Sequence, residues 1–297
     1  MGSEMCIRDS IITNLENQES QNAYGILRFP KSRIKNKYPL ILGVNGSKNW
    51  ADHHLEYMEM YKEMGFATFE IQSFNSRNVN STVGDQTIVT TAMMILDSYK
   101  ALEVLGMDKR IDIDNVAITG WSLGGGVALF SAWDPLIASI GIKERFKAHL
   151  AFYPPCLVEM DLIKFSKVPI HILIGEKDDW VTASACEDLV RDLSGNSVDI
   201  GITVYANAHH GFDRKGLPVK EENGYATGNC HFKMRSDGAL LMNFLDIPMI
   251  TPFRQKVALG WCADRGTTIG GNPEARVKSF DFARNFMIRN LSQDFLQ

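Results

Sequence analysis

One serine, set between an apolar strand and a small-residue helix, constrains this chain more than any other feature. Val116-Ala117-Ile118-Thr119 is a short β-branched run that reads as a buried strand. Gly120-Trp121-Ser122-Leu123-Gly124-Gly125 follows it at once, and Gly126 to Ala132 suits a helix packed back on that strand. A G-x-S-x-G sequence at such a turn holds the serine on a sharp bend at the carboxyl edge of a sheet. Its flanking glycines let neighbouring backbone pass where a Cβ would clash. Ser122 is therefore the candidate nucleophile, with an incidental serine in a Gly-rich turn as the alternative.

The rest of the chain supplies a sheet for that turn to stand on. Apolar runs recur at Ala23–Pro30, Pro39–Val44, Phe66–Ile71, Ala148–Tyr153, Val168–Ile174 and Ile200–Tyr205. Helical patterns lie between them, at about His53–Met64, at Ile88, Ala92, Ile95, Tyr99 and Leu102, and at Ala183–Leu193. Strands alternating with helices predict a mostly parallel sheet covered by helices on both faces. In such sheets the working residues gather beyond the carboxyl ends of the strands. Those ends deliver Asn45-Gly46-Ser47, Ser122, Asp178 and His210.

The acid and the base are read from this placement. Gly175-Glu176-Lys177-Asp178-Asp179-Trp180-Val181 follows a strand directly, and a carboxylate there can orient a histidine and stabilise its imidazolium. Asp178 and Asp179 both have the chemistry; the G-x-x-D-x-x-V spacing selects Asp178 and leaves Asp179 as a loop-capping neighbour. Tyr205 to Asp213 contains His209-His210-Gly211-Phe212, and one of the two histidines must reach Ser122; His210, next to Gly-Phe, is favoured over His209 mainly by the resemblance described below. His149 and His171 lie within apolar strands and read as satisfied core residues. The order Ser122, Asp178, His210 is that of the α/β-hydrolase fold. The matching oxyanion hole is the backbone N–H of Leu123 with that of Ser47.

These motifs together resemble the dienelactone-hydrolase-like branch of the α/β hydrolases. The matching pieces are Ser73-Phe74 with Arg77, Gly120 to Gly125, Phe152-Tyr153-Pro154, Gly175 to Val181, Ala208 to Phe212 and Gly271 to Arg276. The resemblance implies a hydrolase without a cofactor or metal, acting on a small-molecule ester or lactone. Ser122 stands where dienelactone hydrolases carry cysteine, and Asn45-Gly46 where many relatives have His-Gly. The expected activity is a serine carboxylic-ester hydrolase working through an acyl-enzyme. A peptidase of the same fold and an inactive binding protein on this scaffold are the alternatives. Asn45, Phe74, Arg77, Trp121 and Trp180 are candidate substrate contacts, with Trp50 and Tyr153 as further aromatic walls. Ordinary core is the alternative for each aromatic, and pairing with an acid such as Asp85 is the alternative for Arg77.

Composition narrows the partners and the domain plan. The chain has 297 residues, 45% hydrophobic and 22% charged, with a net charge of −4. That balance gives no basic surface for nucleic acid. No apolar run is long enough for a membrane span, and Met1–Asn14 lacks the apolar core of a secretory signal. Oligomeric state is not legible. Residues 1–22 read as an N-terminal extension, in part a remnant of cloning or assembly. Residues 23–297 read as one catalytic domain with an irregular insertion at about 216–271. The five cysteines show no C-x-x-C spacing. Cys230 and Cys262 flank a segment with little periodicity, so a bridge between them is expected to staple it, and export would follow. Without that bridge the expectation is a cytoplasmic enzyme.

Overall fold

The structure is a computed structural model that describes residues 21–31, 37–242, 245–249 and 251–291. The expectations for residues 1–20, including Cys6, lie outside the described residues.

The main sheet begins with β1 (Gly25–Arg28), β2 (Tyr38–Val44), helix α1 (Asp52–Glu63) and β3 (Ala67–Ile71). It continues through α2 (Thr91–Leu105), β4 (Ile111–Trp121), α3 (Leu123–Phe130), α4 (Asp134–Ile140), β5 (Ala148–Phe152) and the short β6 (Val158–Met160). Then come β7 (Ile170–Gly175), α5 (Ala183–Gly195) and β8 (Ile200–Tyr205). Seven strands form one sheet in the order β1-β3-β2-β4-β5-β7-β8. Only β1 runs antiparallel to its neighbour; every other pair in this sheet is parallel. β2, β3 and β5 are buried along their whole length. Continuous apolar runs of this kind are what a sheet covered on both faces requires.

Register shows which helix covers which face. Leu150 of β5 pairs with His171 of β7, so the two share a face, and His149 points to the other. His149 meets α3, with Nδ1 2.8 Å from the Ala128 carbonyl oxygen. His171 meets the Phe282 ring of the C-terminal helix α7 (Pro273–Leu291) at 4.3 Å between centroids. α3 and α7 therefore lie on opposite faces. α1 joins α7, where Tyr57 stacks on Phe280 at 3.7 Å. α2 joins α3, where the Tyr99 hydroxyl donates to the Ser131 carbonyl at 2.6 Å. α2 starts later than its periodicity implies. Thr90 caps it by accepting the Met93 N–H, which leaves Ile88 outside the helix and exposed.

The described residues of the stretch read as an irregular insertion form regular elements. The stretch holds β9 (Val219–Ala226), β10 (Phe232–Met234), β11 (Leu240–Leu241), α6 (Pro252–Cys262) and β12 (Asp264–Ile269). β8 is thus the last strand of the main sheet but not of the chain. β9 and β12 form an antiparallel ribbon, and β10 pairs with β11 on one side and with β6 on the other. A second apolar cluster fills this cap, built on Leu157, Phe232, Met242, Met249 and Ala258 with Cys230 and Cys262. Cys230 and Cys262 are joined by a disulfide, with Cα atoms 5.0 Å apart. A second disulfide joins Cys156 to Cys186, Cα atoms 4.9 Å apart. It ties the loop after β5 to α5.

Candidate active site

Ser122 occupies the one-residue turn between β4 and α3. Its φ of 56° and ψ of −115° lie in a region that side chains rarely adopt, a conformation that costs about 1–3 kcal/mol and persists only when packing enforces it. The enforcement comes from close backbone approach. A Cβ on Gly124 would overlap the carbonyl oxygens of Val44 and Asn45, so only glycine lets α3 sit this near β2.

Three side chains converge at this turn. His210 Nε2 lies 2.9 Å from Ser122 Oγ, and His210 Nδ1 lies 2.8 Å from Asp178 Oδ2. The second carboxylate oxygen of Asp178 accepts the backbone N–H groups of Trp180 and Val181 at 3.0 and 2.9 Å. An ionised carboxylate only accepts, so Nδ1 carries the proton towards Asp178 and Nε2 is free to accept from the serine hydroxyl. His210 and Asp178 are buried, whereas Ser122 keeps partial exposure. Tyr153 and Trp180 flank the imidazole, with ring centroids 4.6 and 4.9 Å from it.

The neighbouring residues separate cleanly from these three. His209 turns its Nδ1 to the Lys177 carbonyl, 3.0 Å away, and does not reach Ser122. Asp179 accepts the N–H and hydroxyl of Thr268 at 2.7 and 2.8 Å and so ties the site loop to β12. Ser47 and Leu123 line the same cavity as Ser122. Among the described residues neither backbone N–H has a hydrogen-bond partner. Gly46 stands against the turn: a Cβ built on it would lie 3.1 Å from the Trp121 carbonyl oxygen and 3.5 Å from Ser122 Cβ.

Four of the expected substrate contacts sit elsewhere. Trp121 is fully buried beneath the turn, stacked against His54 at 4.6 Å and Phe152 at 5.4 Å. Phe74 is fully buried in the main core. Arg77 is occupied by a two-pronged pair with Asp97, at 2.7 and 3.0 Å, while Asp85 pairs with Lys256. Asn45 is fully buried and donates to the Gly46 carbonyl at 3.0 Å. Trp180 alone of the five lines the space beside Ser122. Trp50 packs edge-on to Trp121 and donates its indole N–H to the Ile71 carbonyl.

Behind His210 lies a buried polar group that the sequence does not announce. The Tyr153 hydroxyl donates to Asp213 Oδ1 at 2.9 Å, and His53 Nε2 lies 3.8 Å from the same oxygen. Burial raises the Asp213 carboxyl to about 6 and lowers the His53 imidazole to about 3, the latter helped by the positive charge of Arg214 and Arg276. His53 is therefore neutral across the physiological range, and Asp213 takes up its proton at a higher pH than an ordinary carboxyl. Asp213 directly follows the His210-Gly211-Phe212 motif, but nothing in the sequence places His53 beside it.

Two cavities meet at Ser122. The larger, about 310 Å³, runs from Ser122 and Leu123 between α2 and the cap, and among the described residues no Lys, Arg, Asp, Glu or His lines it. The smaller, about 40 Å³, contains His210, Tyr153, His53, Lys48 and Arg214. Among the described residues no group of three or more His, Cys, Asp or Glu side chains is placed to hold a metal ion.

A mostly parallel sheet with this turn at its carboxyl edge defines an α/β-hydrolase fold. The sequence model of the dienelactone hydrolase family matches residues 57–232, over half of the chain, and the chain belongs to that family. A protein of Aquifex aeolicus (strain VF5), provisionally named carboxymethylenebutenolidase, is 31% identical over 111 residues, covering 37% of this chain and 43% of that protein. Protein usf of Aquifex pyrophilus is 28% identical over 111 residues, with the same shares covered. The chain thus spans less than half the length of these curated relatives. Among solved structures, a dienelactone hydrolase-like promiscuous phosphotriesterase from metagenomic libraries superposes with a TM-score of 0.59 at 15% identity, over 92% of this chain and 95% of that one. The propionate-bound esterase 2 of Thermogutta terrifontis gives 0.55 at 13% identity, over 73% and 88%. At these identities the structural likeness concerns the fold.

Proposed function

We propose that this protein is a serine hydrolase of carboxylic esters or lactones. The observation that carries the reading is the continuous line from Ser122 Oγ through His210 to Asp178, at 2.9 and 2.8 Å, at the mouth of an apolar cavity. His210 Nε2 takes the Ser122 proton as Oγ attacks the ester carbonyl carbon. Asp178 holds the imidazole in the required tautomer and stabilises its charged form. The negative charge gathering on the carbonyl oxygen is met by the Leu123 and Ser47 N–H groups, each donor contributing about 3–4 kcal/mol to the transition state. Collapse of the tetrahedral intermediate expels the alcohol, which leaves with the proton from His210. Water, deprotonated by His210, then attacks the acyl-enzyme and releases the acid.

Family membership supports ester chemistry over peptide cleavage, and the intact hydrogen-bonded set supports catalysis over mere binding. The two disulfides support an exported enzyme, because such bonds persist in oxidising compartments. No helix among the described residues is long and apolar enough to cross a membrane.

Rapid-mixing kinetics on an activated ester test the reading. An initial burst of alcohol at one equivalent per enzyme is expected, followed by slower turnover. Ser122→Ala is expected to lose the burst and all but about one part in 10³–10⁴ of kcat/KM while unfolding at the same denaturant concentration. Turnover of that variant at more than one part in a hundred would assign the nucleophile to another residue.

A further inference from the structure

The two cavities at Ser122 differ in size, polarity and position relative to His210, and this asymmetry decides which half of an ester goes where. Ser122, Ser47 and Trp180 belong to both cavities. His210 lines only the small one, which also has Lys48, His53 and Arg214 around it, and Leu123 only the large one. In ester cleavage the departing alcohol receives its proton from the catalytic histidine, so the alcohol must sit on the His210 side. The acyl group stays on the serine and must extend away from the histidine, past the Leu123 N–H. That direction leads into the cavity of about 310 Å³.

We propose that this protein selects esters of a bulky apolar acid with a small alcohol. The inference rests on the serine-hydrolase reading above and adds the substrate class. The two volumes fit this division, since small-ligand sites occupy about 300–1,000 Å³, whereas the alcohol side offers about 40 Å³. The wall chemistry agrees. Ala92 and Ile95 of α2, Phe130 and Trp133 around the end of α3, and Phe232 and Leu259 of the cap face the large cavity. A charged acyl group would lose its hydration there with no ionic partner, whereas an alkyl or aryl chain gains from each group removed from water. The cap makes this specificity. Phe232 and Leu259 belong to the same apolar cluster as Cys230 and Cys262, so the disulfide fixes the wall at its base. On the alcohol side, Tyr153, His53, Lys48 and Arg214 favour a short or hydroxyl-bearing leaving group.

Hydrolysis of paired isomeric esters tests this directly, with acid release followed by pH-stat. Methyl octanoate and heptyl acetate have the same composition and place the long chain on opposite sides of the carbonyl. The expected result is a kcat/KM for methyl octanoate at least about tenfold above that for heptyl acetate. Along the methyl ester series it should rise about fourfold per methylene until the cavity is filled. Ala92→Trp, which places a large ring in the cavity, is expected to cut the methyl octanoate to methyl acetate ratio by about tenfold or more. Equal rates for the isomers, a preference for heptyl acetate, or an unchanged ratio in Ala92→Trp would overturn the assignment. The hydrolase reading fails separately: in that case no ester is turned over and a fluorophosphonate leaves Ser122 unlabelled.

Discussion

At the residue scale the site is decided by which of two adjacent histidines reaches the serine. His210 and His209 are neighbours in the chain, yet only His210 spans Ser122 and Asp178, while His209 is turned to a backbone carbonyl. His210→Ala is therefore expected to lower kcat to nearly the level of Ser122→Ala, because members of a catalytic set fail together and not additively. His209→Ala should keep activity within about tenfold of the parent. Steady-state kinetics on the two variants check this, and the reverse ranking would move the base to His209. The turn that carries Ser122 is legible because its signal is local: strand, turn, helix and glycines lie within a few residues of one another. Where the neighbouring aromatics pack is not, since an aromatic next to such a turn has two directions open to it. Trp121 follows the pleat of β4 down to the face covered by α1, and chain position alone does not show this.

Element scale brings out what the cap contributes. β10 and β11 are only three and two residues long, and β10 pairs with the distant β6, with Val158 opposite Phe232, so no periodic run betrays them. The prolines mislead as well. Pro252 sits in the first turn of α6, where a missing N–H costs nothing, and Thr251 caps that helix by accepting the Arg254 N–H. The expected Cys230–Cys262 bridge is present, but the Cys156–Cys186 bridge depends on how α5 docks against the loop after β5. Tertiary packing of that kind leaves no trace in spacing. Replacing Cys230 and Cys262 by serine is expected to remove about 3–4 kcal/mol of loop-entropy stabilisation from the cap. Limited proteolysis with mass mapping should then show faster cleavage within residues 231–261 than in the parent. Unchanged cleavage would mean that the cap cluster holds without its staple.

For the whole molecule, the buried titratable groups set the acid limit of the fold. Burial holds His149 and His171 at about 4, His53 at about 3 and His54 well below its ordinary 6.5. A histidine depressed in this way binds its proton in the unfolded chain first. As pH falls below 6.5 the unfolded state gains protons that the folded state refuses, and stability drops until the folded value is reached. For the buried His149 the loss amounts to about 3 kcal/mol at the acid end. Asp213 acts in the opposite sense. Raised to about 6, it keeps a proton that the unfolded chain releases above 3.8, so it favours the fold as pH falls through that window. Glu70, also raised by burial, acts in the same sense as Asp213, and four histidines outweigh the two carboxyls. Urea unfolding is expected to show a clearly lower midpoint at about pH 4.5 than at about pH 7. An equal or higher midpoint in acid would mean that these histidines take up protons within the fold.

Also at this scale, the alternation of apolar strands and helices was sufficient to foresee the parallel sheet and the edge on which the site stands. Each central strand is continuous in sequence and buried on both faces, which is the arrangement that periodicity reports best. Cavity shape arises where the cap meets α2, between segments far apart in the chain, and only the folded molecule displays it.

The central claim is that Ser122, activated by His210 and Asp178, carries the acyl group. Treating the enzyme with a fluorophosphonate and mapping the adduct by peptide mass spectrometry tests it most directly. The account predicts one phosphonyl group per chain, on the peptide containing Ser122, formed in step with loss of ester hydrolysis and absent from Ser122→Ala and His210→Ala. An adduct on a different residue, or full ester hydrolysis in an enzyme whose Ser122 is already occupied, would contradict it.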